Sequence, residues 1–167
     1  MLISEYVKAA TTLDDVAYTT AEARQELLDA FAEVIEHIGE GLAGFGAAYE
    51  QLDEGNADRL EEVLFRPVQV GYGRAKSAHA QFAGRHGLTS PPFEAPPPGL
   101  PSTGAKGFID SAVGAVAEAD RELSAMQDSS LWAEVGDVEL RAAITEVREL
   151  LGGVRQRARE LERTLGR

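Results

Sequence analysis

Two rows of apolar residues organise this chain. Leu140, Ile144, Val147, Leu151, Val154, Ala158, Leu161 and Leu165 recur at strictly alternating steps of four and three. Leu27, Phe31, Val34, Ile38, Leu42, Phe45, Tyr49 and Leu52 make an earlier row of the same length. Both average about 3.57 residues per step, between the roughly 3.5 of a coiled-coil seam and the roughly 3.6 of a straight helix. A stripe so narrow is hidden only when other helices pack along it. The pattern therefore predicts an all-α, four-helix bundle of long antiparallel helices, arranged as two hairpins in one domain, 1–167.

Caps and breakers divide the chain further. Residues 1–18 read as a short helical or irregular lead-in, with Ile3, Val7, Leu13 and Val16 available for docking. Thr19 with Glu22 forms a capping box that opens helix A over 19–54, and Gly55 suits its C-terminal end. Asn56 would cap helix B, 56–86, which carries Leu60, Leu64, Val68, Tyr72, Ala75, His79, Phe82 and His86 on one side. Pro67 lies inside it and predicts a kink near Val63–Arg66, because proline lacks the N–H and crowds the carbonyl four residues back.

A proline-rich connection follows at 88–104, with six of the seven prolines between Pro91 and Pro101. Extended at about 3.1 Å per residue, it is long enough to cross the bundle. Helices B and C are left free to be parallel or antiparallel. Pro98-Gly-Leu-Pro101 matches PxxP, a pattern permissive enough that a structural strap is the preferred reading. Helix C is expected at 105–127. Trp132, the sole tryptophan, is expected to close one end of the core, with a partner anchor as the alternative. Asp137 is a good N-cap for helix D, 138–165.

Charge adds asymmetry. The net charge is −12, and residues 1–62 alone hold 15 acids against three bases. Arginines gather at the other end, Arg155 and Arg159 among them, so an acidic helix can meet a basic one inside the bundle or across a dimer. Such a body repels nucleic acid phosphate. Cysteine is absent, which removes disulfides and thiolate chemistry. The start, Met1–Glu5, lacks a secretory pattern, and no stretch reaches the roughly 20 apolar residues that span a bilayer. A cytoplasmic location is expected.

Candidate chemistry is sparse. Gly39-Glu-Gly-Leu-Ala-Gly44 matches GxGxxG, but it lies within an amphipathic helical run rather than between a strand and a helix, so no phosphate loop is read there. Close packing of a neighbouring helix is the better reason for Gly41 and Gly44. His37 and His79 are weak metal candidates that could meet across the A–B hairpin. A Glu-x-x-His di-iron motif is missing, because the residues three before the histidines are Val34, Lys76 and Ala83. No nucleophile–base pair faces one way, Ser77 and His79 being two apart. No catalytic residue and no cofactor is assigned.

The expectation is a non-catalytic helical interaction or scaffold protein, a homo-oligomer or adaptor. The residues singled out for interaction are Gly41, Gly44, Trp132, Arg155 and Arg159. The segment from Leu60 through Pro67 to Tyr72 resembles the kinked middle helix of BAR domains, and Ser130-Leu-Trp132 is similar to part of their third helix. That resemblance implies peripheral membrane binding or shaping. The chain is shorter than BAR domains usually are, its strap interrupts their long helix, and its acidic body opposes anionic lipid. A metal- or small-ligand-binding bundle is the further alternative.

Overall fold

A computed structural model describes the backbone of residues 2–165 and the side chains of 20–165. It is an all-α bundle. Helix α1 runs Leu2–Gln51. Next come α2, Glu54–Leu60, a π-helical turn, Glu61–Phe65, and α3, Arg66–Arg85. The proline strap and a 3₁₀ turn, Pro101–Thr103, lead into α4, Gly104–Gln127. The chain finishes with α5, Ser130–Val135, α6, Val138–Leu151, and α7, Val154–Leu165. Among the described residues no helix is long and apolar enough to cross a membrane.

Four boundaries differ from expectation. The Thr19–Glu22 box starts nothing, because α1 is already helical from Leu2 and no glycine or proline precedes Thr19 to interrupt it. The expected docking of Ile3, Val7, Leu13 and Val16 lies outside the described side chains. Asp53, not Asn56, caps the second helix, and its Oδ2 accepts the Asn56 N–H. Gly55 consequently sits inside α2 rather than ending helix A. Helix D is not continuous: it breaks at Gly152–Gly153, where Gly153 takes φ +76°. The kink foreseen before Pro67 takes the form of the π turn, with the Arg66 N–H reaching back five residues to the Glu61 carbonyl.

Both apolar rows are hidden. From Leu27 to Phe45 every member of the first row is buried, and its end opens out at Tyr49, 36 % exposed. In the second, Leu140 through Leu161 are all buried, including Leu151 and Val154 on either side of the glycine break. A single core joins these residues to Leu60, Leu64, Phe82, Ile109 and Leu123.

Cross-helix contacts give the directions. Gly41 faces Val116 while Gly44 faces Ala112, so α1 and α4 are antiparallel. Gly39 meets Tyr72 while Leu28 meets His79, so α1 and α3 are antiparallel too. Arg74 pairs with Glu146 and Arg85 with Asp137, which opposes α3 to α6. Helices α3 and α4 both oppose α1, and so run parallel to each other.

The strap makes that parallel return possible. At one end Ser90 lies beside His79, which also bonds Leu28; at the other, Gln51 Nε2 donates to the Pro101 carbonyl at 2.8 Å. Between these levels α1 advances from Leu28 to Gln51, about 34 Å at roughly 1.5 Å per residue. The strap covers the same rise from Ser90 to Pro101, about 34 Å at roughly 3.1 Å per residue. It is drawn out to polyproline length.

Candidate functional site

The glycine run belongs to the packing of α1. A Cβ on Gly41 would stand 2.7 Å from Val116 Cγ2, and one on Gly44 would stand 2.9 Å from Ala112 Cβ and 3.2 Å from the Phe108 carbonyl. Both residues let α4 approach closely, the packing role expected of them. Gly39 faces a different neighbour: a Cβ there would meet the Tyr72 ring and the strap at Ala95 at ordinary contact distances of 3.4–3.5 Å.

The two candidate metal ligands part company. His37 Nδ1 lies 3.0 Å from Glu122 Oε1 of α4 without hydrogen-bond alignment, and both His37 Nδ1 and Glu122 Oε2 are buried without a hydrogen-bond partner among the described residues. His79, 2 % exposed, points the other way. Its Nε2 donates to the Leu28 carbonyl at 3.0 Å, which leaves Nδ1 to accept from the Ser90 hydroxyl at 2.6 Å. Phe31 and Phe93 flank the ring. Burial pushes the imidazole pKa down, against the Leu28 carbonyl and the Asp29 charge. His79 is thus a neutral pin joining α1, α3 and the strap. Among the described residues no three His, Asp or Glu side chains gather as a metal set.

Trp132 is buried in the core. Arg141 covers it, donating Nη2 to the Trp132 carbonyl at 2.7 Å with its guanidinium 5.4 Å from the ring. The tryptophan has no free face for a partner anchor.

Arg155 and Arg159 are the candidates that remain exposed. They line a cleft of about 270 Å³ between α4 and α7, together with Asp110, Val113, Gly114, Ala158 and Glu162. Held against the Asp110 carboxylate, to which its acid form can donate, and helped by burial, the Glu162 carboxyl is pushed up to about 6. Neither arginine has an ion pair or hydrogen bond among the described residues.

Two features escaped the sequence reading. Asp137 was expected to cap α6 and does, accepting the Leu140 N–H at 2.8 Å. It also receives Arg85 through two bonds of 2.8 Å and His86 Nε2 at 3.0 Å, which ties the end of α3 to the start of α6. The second is a cleft of about 510 Å³ under the strap, walled by Gln69, Tyr72, Gly73 and Lys76 of α3. Their i, i+3, i+4, i+7 spacing marks one helix face and was the available signal. Comparison with known proteins gave no match: no family model, no curated protein and no solved structure is similar to this chain.

Proposed function

We propose that this chain is a non-catalytic interaction protein that works by self-association or as an adaptor for another protein. The observation that carries the reading is a row of six carboxylates on α1. Glu22, Glu26, Asp29, Glu33, Glu36 and Glu40 follow steps of four and three, and all are exposed. None has an ion pair among the described residues. Like charges at such spacing cost about 0.2–0.5 kcal/mol per pair. A cationic surface laid along the row relieves that cost, and the unpaired Arg155 and Arg159 of a second copy supply one.

Light scattering at about 50 mM and about 1 M salt tests the contact, since screening weakens exposed charge pairs. The assembly should lose mass at high salt, and R155E/R159E should reproduce the loss at low salt. An unchanged mass under both treatments would remove self-association through these faces.

A further inference from the structure

The α3 face beneath the strap is built like a ligand site. Gln69, Tyr72, Gly73 and Lys76 share one side of the helix and wall a cleft of about 510 Å³, opposite Leu42 and next to Phe65. That size falls among clefts that hold small molecules, roughly 300–1,000 Å³. The hydroxyl of buried Tyr72 and the ammonium of half-buried Lys76 have no hydrogen-bond or ion-pair partner among the described residues, and Gln69 stands exposed at the cleft edge. Lys76 Nζ sits over the Tyr72 ring, 4.2 Å from its centroid, a cation–π contact that keeps the ammonium at this wall of the cleft. Burial, together with the Glu94 carboxylate of the strap, pushes the Tyr72 phenol pKa up, so its hydroxyl keeps its proton. The space is open where it would need to be: no heavy atom lies within 4 Å of a Cβ placed on Gly73.

Unpaired donors beside apolar surface specify an acceptor joined to an apolar body. We propose that this cleft binds an amphipathic monocarboxylate, its chain laid on Leu42 and Phe65 and its carboxylate accepting from Tyr72 and Lys76. Lys76 chooses the sign of the ligand. Glu94 opposes an anion at the strap side, so the carboxylate must sit on the α3 wall. The site is separate from the acidic row of α1 and does not depend on self-association.

Calorimetric titration of the full chain with decanoate and decylammonium below their micelle concentrations, and with decanol below its solubility limit, tests the assignment. Decanoate should bind one to one, and decanol about tenfold or more weaker, the loss expected for a charge-assisted contact. Decylammonium should not bind. Lys76→Gln should weaken decanoate by about tenfold, while Gly73→Leu, which fills the open space, should abolish binding with no fall in melting temperature. Equal affinity for the three probes, no binding of decanoate, or decanoate binding that survives both substitutions would overturn the proposal.

Discussion

Arg157 of α7 donates its Nε–H at 2.7 Å to the carbonyl of Val63, the acceptor that Pro67 leaves without its helical donor. Its Nη1 donates at 2.9 Å to the carbonyl of Gly152, where the last long helix breaks. One guanidinium therefore serves both interruptions. Replacing Arg157 with leucine should cost about 2 kcal/mol, the usual range for a charged donor withdrawn from a half-buried acceptor. In a Pro67→Ala background, where an N–H returns, the same replacement should cost about 1 kcal/mol less. Urea unfolding of the four proteins measures the difference. Equal costs in both backgrounds would mean that the carbonyl never needed the arginine.

The glycines of α1 separate into two kinds. Gly44→Ala forces a methyl against the Ala112 side chain and the Phe108 carbonyl, and should destabilise by about 1–3 kcal/mol despite its better helix propensity. Gly46, with nothing within 4 Å of its absent Cβ, should respond with the opposite sign. Gly46→Ala should stabilise by up to about 1 kcal/mol. Thermal melts of the two variants decide the matter by sign alone.

Asp137 makes stability depend on acid. Burial raises its pKa, but the bonds from Arg85, the Leu140 N–H and His86 outweigh that and hold the carboxyl at about 2, against an ordinary 3.8. Because the folded value is depressed, the stabilisation is whole above 3.8 and is lost as pH falls towards 2. Asp137→Asn should flatten that part of the stability curve and cost about 1–2 kcal/mol at neutral pH. A curve of unchanged shape would show that Asp137 is not its source.

His79 answers to a milder pH. Its pKa is lowered by burial from the ordinary 6.5, so the stability it contributes is present above 6.5 and declines as pH falls below it. Protonation also removes the lone pair on Nδ1 that accepts from Ser90. An NMR titration should find the ring titrating below 6.5, and His79→Ala should cost about 3 kcal/mol from the cavity and the lost bonds. An imidazole titrating at or above 6.5 would overturn this account.

Much of the fold was legible because it rests on periodicity. The rows beginning at Leu27 and Leu140 identify buried faces whatever their neighbours are, and the burial of Leu151 and Val154 shows that the second keeps its phase across a break. Local signals failed where they competed. Thr19 could cap a helix only if the chain before it were not helical, and Asp53 took the role given to Asn56 by standing three residues earlier. The Gly152–Gly153 break was masked by the regular spacing around it. The site was less legible. Gly41 and Gly44 pack against α4 and Trp132 closes the core, the readings preferred for them, while Arg155 and Arg159 lie exposed together on α7. The gathering of donors on Asp137, and the cleft before Tyr72, depend on residues dozens of positions apart in sequence.

The matched rise of strap and helix gives the molecule an uneven tolerance for change in length. Between Ser90 and Pro101 there is little slack, so losing two or three residues there removes about 6–9 Å of reach towards Gln51. Extra residues can bow outward into solvent at little entropic cost. Insertions should be accepted where deletions are not, because a shortened strap draws α4 out of register with α1.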